Sequence, residues 1–343
     1  MKQREDHVTT VGELGESGVL ARVLAQLSDS DAAIVGPGDD CAVLRTVGDV
    51  VVTTDTMIEG PDFRLAWHDG FELGWKLAAT NLSDVAAMGA RPTALTVALA
   101  VPRETPVSLL ERIAEGLDAA CRALAPGCGV VGGDLGRAPV IVASVTAVGD
   151  LEGRAAVLRS GATPGDIVAY AGELGLAGLG LSVLFAEAAD GDGLAHSRSL
   201  PELWRTHPEA IAAQLAPAPP IPLGVAAAEA GATAMMDVSD SLSIDAGRMA
   251  VASDARIAFD AERLRLAFGV QSDVEVPVDA MLYGGEDHGL LATFPAEAIL
   301  PTGFRVIGEV VSAQAPDERI TLDSAPLTAR GWDPYTVQYP GAA

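Results

Sequence analysis

From residue 33 to 55 the apolar residues fall in short β-rich runs, IV, CAVL and VVVTT, separated by Gly, Pro and Asp. That pattern predicts paired strands joined by turns. The period then changes. In FELGWKLAATNLSDVAAMG, Leu73, Leu77 and the nearly continuous stretch Leu82 to Met88 predict a helix over 70–89 whose second half is buried. TALTVALAV (93–101) reads as a strand, VSLLERIAEGLDAACRAL (107–124) as an amphipathic helix and VIVASVTAVG (140–149) as a further strand. These elements predict one α/β domain over 1–150. A second, over 151–343, opens with RSGATPGDIVAYAG, a turn feeding a strand, and continues into a Gly/Ala/Leu-rich helix over 174–188. DGDG (190–193) and the proline-rich APAPPIPLG (216–224) read as loops inside this second domain.

Composition agrees with two domains: 343 residues, at roughly 150 per domain, are 49% hydrophobic but only 4% aromatic, with 37 glycines. The core is therefore built from Ala, Val and Leu. Against 47 acidic residues stand 22 Lys and Arg, a net charge of -25, and the basic residues do not cluster, which argues against a nucleic-acid partner. Cys41, Cys121 and Cys128 are odd in number and form no CxxC pair, so neither a disulfide framework nor a zinc knuckle is expected, and a reducing cytoplasm is the simplest setting. MKQREDHVTT lacks the apolar stretch of a signal peptide, and no apolar run approaches the ~18 residues that span a bilayer. A soluble cytoplasmic protein is expected.

The informative acids are those placed in segments otherwise built to be buried: GPGDD (Asp39, Asp40), TTDT (Asp55), NLSD (Asp84), GGD (Asp134) and DVSD (Asp237, Asp240). Burying an unpaired carboxylate costs several kcal/mol or forces its protonation. Turn chemistry accounts for Asp40 and is an alternative for Asp134, and a residue of DVSD could cap the helix SIDAGRMA. Asp84 resists that explanation, because it lies inside a helix between Leu82 and Val85. Asp55 ends VVVTT, where Thr53 and Thr54 could add hydroxyl ligands. Hard oxygen donors without a His/Cys set favour Mg²⁺ over zinc, and Mg²⁺ held by carboxylates most often serves phosphate. GxxxxGK[ST], GxGxxG and the HRD/DFG pair are absent, and GELGLAGLG (172–180) reads as close helix packing. His7, His68, His196 and His207 are expected to be solvated, while His288 in YGGEDHGLL adjoins a candidate motif. No GxSxG or cysteine nucleophile signature supports a covalent mechanism.

Taken in order, GELGESGVLARVL, GPGDDCAVL, TTDTMIEG, NLSDVAAMGARP, GGD, RSGATPGD, MDVSDSLSID, YGGEDHGLL and GWDPY resemble thiamine-monophosphate kinase, of the superfamily that includes aminoimidazole ribonucleotide synthetase and selenophosphate synthetase. The match runs from about Gly12 to Tyr335. The resemblance implies an α/β (α+β) two-domain fold whose N-terminal sheet pairs across a homodimer, with ATP and several Mg²⁺ ions bound between the domains. It further implies metal ligation by Asp39, Thr53, Thr54, Asp55, Asp84, Asp134, Asp237 and Asp240. ATP contacts fall on Gly133, Asp134, Arg159 and Ser239, and thiamine contacts on Asp62, Glu286 and Trp332. Three positions depart from the family pattern: Asp62 stands for His, Ser241 for Gly and Leu135 for Thr. The implied reaction is direct Mg²⁺-assisted transfer from ATP to thiamine monophosphate, with no general base because the acceptor is already an anionic oxygen. The alternatives are another ATP-dependent enzyme of the superfamily and a non-catalytic ATP-binding dimer.

Overall fold

The computed structural model describes residues 8–37, 41–313 and 318–332. Asp39, Asp40, His7 and Tyr335 lie outside the described residues. The N-terminal half runs α1 (Val11–Leu14), α2 (Glu16–Leu24), β1 (Ala33–Val35), β2 (Val43–Leu44), β3 (Val50–Ile58), α3 (Gly70–Ala87), β4 (Arg91–Val101), α4 (Val107–Leu124), β5 (Gly129–Arg137) and β6 (Val142–Asp150). β1 and β2 close on each other as an antiparallel ribbon. β3 does not join them: it pairs along its whole length with β6, in a sheet of order β3-β6-β4-β5. The strands expected over 33–55 are thus a local ribbon and one long-range partner, which the pattern of apolar runs does not distinguish. GGD is likewise no turn. It lies within β5, the parallel neighbour of β4, with α4 as the crossover. A side chain at Gly133 would place its Cβ 2.2 Å from the carbonyl oxygen of Val97, so only glycine fits that close pairing.

α3 is started by a capping box: the Asp69 carboxylate accepts from Glu72 N at 2.8 Å, and Glu72 returns a contact of 2.8 Å to Asp69 N. Its apolar face packs on β4 and β6, and α4 lies so close that a Cβ on Gly116 would come 2.0 Å from the carbonyl of Phe71. The predicted second half, Leu82 to Ala87, is buried apart from partly exposed Asp84.

The C-terminal half runs β7 (Ile167–Ala171), α5 (Leu176–Glu187), α6 (Leu200–Thr206), α7 (Pro208–Leu215), α8 (Pro222–Glu229), β8 (Ala234–Asp237), α9 (Leu242–Ala252), β9 (Ala255–Phe259), α10 (Ala261–Phe268), β10 (Val270–Gln271), β11 (Val274–Glu275), α11 (Val278–Tyr283), β12 (Leu290–Phe294), β13 (Arg305–Ser312), β14 (Ile320–Leu322) and β15 (Ala325–Pro326). The loop expected over 216–224 ends earlier, because α8 begins at Pro222, where the missing N–H costs nothing in a first turn. A seven-stranded sheet of order β15-β14-β9-β13-β7-β12-β8 carries this half. One of its faces, with Ala169, Leu290, Ala292 and Phe294, shares a core with Leu77, Leu82 and Val85 of α3. The other face packs Val168, Tyr170 and Ile257 against Met249, Leu264 and Phe268 of α9 and α10. Strands covered on both faces are apolar almost throughout, as β8 is from Ala234 to Met236 and β12 is apart from Thr293. An acid at the end of such a strand, Asp237, is therefore exceptional. No helix among the described residues is long and apolar enough to cross a membrane.

Candidate active site

Alternation along β3 sends Thr53 and Asp55 to the face covered by α3 and Thr54 to the opposite face. Thr53 Oγ1 donates to Asp84 Oδ2 at 2.7 Å, joining strand to helix. Thr54 Oγ1 instead donates to the Val145 carbonyl at 3.0 Å and accepts from Thr146 Oγ1 at 3.1 Å, away from Asp84. One helical residue before Asp84, Ser83 Oγ donates to Asp237 Oδ2 at 3.0 Å, and His288 Nδ1 lies 3.4 Å from the same oxygen. Three carboxylates from β3, α3 and β8 thus share one region of charge. Burial, then the charges of Asp237 and Asp55, push the Asp84 pKa up to about 7. Asp55 is raised as well, by desolvation and then by Asp237. His288 is held protonated above its ordinary range: burial opposes this, but the Asp237 hydrogen bond and charge, followed by the charge of Glu286, outweigh it.

Asp240 begins a second group. Arg248, one to two helical turns into α9, reaches Asp240 Oδ2 at 2.6 Å and Asp245 Oδ1 at 2.7 Å. Asp245 is fully buried, and its Oδ2 accepts from the backbone N–H of Ser239, Asp240 and Ser241 at 3.1, 3.1 and 3.3 Å. Burial and then Asp237 raise its pKa to about 6. Ser241 caps α9, accepting from Ile244 N at 3.1 Å and donating to the Arg330 carbonyl at 2.7 Å, so a serine at this position has a structural purpose. The loops around DVSD and GGED are zipped by backbone bonds from Glu286 N to Ser239 O at 2.8 Å and from His288 N to Val238 O at 3.0 Å. Glu286 and His288 take left-handed backbones, φ 67° and 53°, to follow that path.

Beside this group opens a cavity of about 820 Å³ lined by Asp62, Glu286 and Trp332, three residues far apart in the chain, and by Asp240 itself. Trp332 N donates to the Asp240 carbonyl at 3.1 Å. The Asp62 carboxylate accepts from Ile58 N at 2.7 Å, and burial followed by the charge of Glu286 raises its pKa. Arginines and aromatics form the outer wall, with Arg64 4.7 Å from the Trp67 ring and 4.8 Å from Phe185, and Arg330 4.3 Å from Tyr283. Lys76, whose side chain is wholly buried, meets Glu286 at 3.1 Å and the Gln214 carbonyl at 3.1 Å; Gln214 Nε2 also donates to Glu286. Burial alone would raise the Glu286 pKa, but Lys76 and Gln214 together hold it below the usual range. His68, expected to be solvated, is buried in this wall at 4% exposure.

Replacing Lys76 by methionine should cost about 3 kcal/mol at pH 7, because it strips a partly buried carboxylate of its counter-ion. A depressed acid pKa stabilises the fold above the unfolded value and loses that contribution as pH falls through the folded one. Denaturant titrations should therefore show the deficit shrinking below pH 4.

Other predicted residues lie elsewhere. Asp134 faces solvent on β5, in one row with Ala98, Ser144 and Thr56. At ~4.8 Å per strand that is about 14 Å from β3. Gly133 and Asp134 line a separate cavity of about 540 Å³ with α2 and the β1–β2 ribbon. Arg159 is exposed, and its carbonyl accepts from Ser253 Oγ at 2.9 Å, at the opposite end of α9 from Asp240. Leu135 packs against the core. Missed by sequence reasoning were Lys76, Ser83, Gln214, Asp245 and Arg248. Lys76 and Asp245 carried the very signal that singled out Asp84, a charge inside an apolar helix; Ser83, Gln214 and Arg248 had none of their own.

Comparison with known proteins gives a consistent picture. Residues 38–151 match the family model of AIR synthase related protein, N-terminal domain. The chain is 37% identical over 333 residues to the thiamine-monophosphate kinase of Mycobacterium tuberculosis, covering 95% of this chain and 93% of that one. Against the enzyme of Corynebacterium glutamicum it is 35% identical, with 94% of each covered. Among solved structures, AaThiL complexed with AMPPCP and TMP superposes with a TM-score of 0.70 at 28% identity, covering 95% of this chain and 99% of that one. The thiamine-monophosphate kinase of Stenotrophomonas maltophilia K279a gives 0.70 at 30% identity over 91% and 96%.

Proposed function

The chain belongs to the thiamine-monophosphate kinase family, and from that premise we propose that it transfers a phosphoryl group from ATP to thiamine monophosphate, assisted by Mg²⁺. The observation that carries this reading is the junction at Asp240, where a cavity sized for a small two-ring ligand meets a group of carboxylates held in place by Thr53, Ser83 and Arg248.

The donor set suits Mg²⁺: Asp55, Asp84 and Asp237 with the Thr53 hydroxyl are all hard oxygen ligands, and the pKa values of Asp55 and Asp84, raised by burial and by neighbouring carboxylates, fit a place for a cation. Among the described residues no three His, Cys, Asp or Glu side chains converge on one point tightly enough to chelate an ion alone. One or two carboxylates with phosphate oxygens completing the shell is how Mg²⁺ ordinarily binds beside nucleotides. Bound there, the metal would neutralise charge on the phosphates. The protein's own part is positioning. Glu286, oriented by Lys76 and Gln214, and the Arg64 and Arg330 walls hold the acceptor, and Asp240 is kept in place by Arg248. No side chain has to remove a proton, since the acceptor oxygen is already anionic, and no phosphoenzyme forms. Gly133, Asp134, Arg159, Ser239 and Asp39 enter the proposal as ATP or metal contacts on the family resemblance, with 1–150 as the ATP- and Mg²⁺-binding domain and 151–343 completing the site.

A homodimer belongs to the same proposal. The face of the four-stranded sheet turned away from α3 exposes Val52 at 65%, Val50 at 44% and Ile58 at 39%, and both of its outer strands have a free edge among the described residues. Light scattering should return about twice the 35.0 kDa of the chain. A species of single-chain mass would remove the paired-sheet arrangement. The three free cysteines and the ATP requirement fit a cytoplasmic setting.

A coupled ADP-release assay tests the function. Release should depend on thiamine monophosphate; release indifferent to it would leave only an ATPase, and none at all a binding protein.

A further inference from the structure

Arg248 answers two acids with one nitrogen. Its Nη1 lies 2.6 Å from Asp240 Oδ2 and 2.7 Å from Asp245 Oδ1, so a single positive charge is shared by two carboxylates. The two acids are not equivalent. The Asp240 side chain is 22% exposed and lines the 820 Å³ cavity, whereas that of Asp245 is 1% exposed. Asp245 Oδ2 is committed to the N–H groups of Ser239, Asp240 and Ser241, which leaves its Oδ1 for Arg248.

Burial decides which of the two bonds can be given up. Taking Arg248 from Asp245 would strand a buried carboxylate without its counter-ion, at a cost of several kcal/mol. Asp240 stands at the cavity, where another cation can reach it. It also acts on the neighbouring acids: Asp55, whose pKa burial and Asp237 raise, feels the charge of Asp240 as well. A divalent ion drawn to this region therefore meets an oxygen that a guanidinium already holds, with a like charge beside it.

We propose that Arg248 is a resident counter-ion for Asp240, giving up that oxygen when Mg²⁺ takes it and kept in place meanwhile by Asp245. This rests on the Mg²⁺ reading above. Arg248 is thus a positioning residue that acts through Asp240. It holds the carboxylate oriented in the free protein and makes the ion compete for it. Mg²⁺ alone then binds weakly, and binds better once nucleotide phosphates add their own charge.

Calorimetric titration of the full-length protein with Mg²⁺ alone tests the exchange. Arg248→Gln keeps an N–H donor without the charge, and should bind Mg²⁺ about 5-fold more tightly than the wild type. Its thermal midpoint under chelation should fall, and Mg²⁺ should raise that midpoint by more than it raises the wild type's. Arg248→Lys keeps the charge and should stay within about 2-fold of wild-type affinity; it carries the test if Arg248→Gln does not fold, and a 5-fold gain there would overturn the proposal. A double-mutant cycle places the effect. In an Asp240→Asn background, Arg248→Gln should change Mg²⁺ affinity by less than about 2-fold, because the contested oxygen has lost its charge. Unchanged or weaker Mg²⁺ binding by Arg248→Gln would overturn the proposal, since Arg248 would then only brace the loop. A gain that persists beside Asp240→Asn would overturn it too, as a long-range effect of the charge removed. A gain that needs Asp240, in a protein without thiamine-monophosphate-dependent ADP release, would support the exchange while removing the kinase reading. Normal release without the gain would remove the exchange alone.

Discussion

Asp84→Asn is expected to lower kcat/KM by about 100-fold or more, a loss of roughly 2.7 kcal/mol of transition-state stabilisation, while the thermal midpoint stays level or rises. The asparagine keeps an oxygen to accept from Thr53, so the contact between β3 and α3 survives. What disappears is a negative charge crowded by Asp55 and Asp237, whose repulsion the fold no longer has to bear. Activity and stability should therefore move in opposite directions. An acid with a purely structural duty predicts the reverse, near-normal ADP release with a lower midpoint, and that pairing of results would remove Asp84 from the metal-binding set.

Chelation should have a larger effect still, abolishing turnover, because ATP would otherwise place its phosphates against carboxylates of the same sign. The same crowding makes stability depend on pH in a definite direction. An acid whose folded pKa is raised destabilises the fold increasingly as pH climbs from its unfolded value to its folded one. For Asp84 that window runs from 3.8 to about 7, for Asp245 from 3.8 to about 6, and for Asp287, a carboxylate buried behind Gly175 and Ala177 whose N–H groups it accepts from, from 3.8 to about 7. His288, raised above 6.5, loses its contribution on the same upward course. Above pH 5, where the depressed carboxylates such as Glu286 are already ionised in both states, His68 opposes them. With its pKa lowered to about 3 it favours folding as pH rises, and that gain is complete near its unfolded value of 6.5. Without divalent cations the midpoint should accordingly fall between pH 5 and 7.5. Mg²⁺ with ATP should restore it, and by more at pH 7.5 than at pH 5, since ligand binding to the folded state adds stability and the ligands must be ionised. Scanning calorimetry across that range decides the matter. Full turnover in metal-free buffer, or a midpoint that rises with pH under chelation, would remove the metal reading.

Much of the scaffold was legible in the sequence because its signals are local. α4 follows its amphipathic stretch residue for residue, and α3 begins where Asp69 and Glu72 can form a reciprocal cap. An acid inside an apolar helix marked Asp84 without any knowledge of its neighbours. The family resemblance pointed to Asp62, Glu286 and Trp332, which line one cavity although 270 positions separate the first from the last.

Pairing across the chain was not legible in the same way. Thr53 and Thr54 are chemically alike and adjacent, and only the pleat of β3 turns one hydroxyl to Asp84 and the other to Thr146. GGD has the composition of a turn, and becomes a strand because α4 returns the chain beside β4. The sequence by itself determined the strongly periodic elements, such as α3, α4 and β4, and marked Asp84 as an acid out of place, since period, capping and burial of small apolar residues act over a few positions. The tertiary structure decided which group answers Glu286 and Asp237. Lys76 reaches Glu286 across 210 residues, and Ser83 reaches Asp237 across 154. A buried carboxylate takes its counter-ion from whatever the packing of distant elements sets beside it, and no short-range pattern encodes that choice.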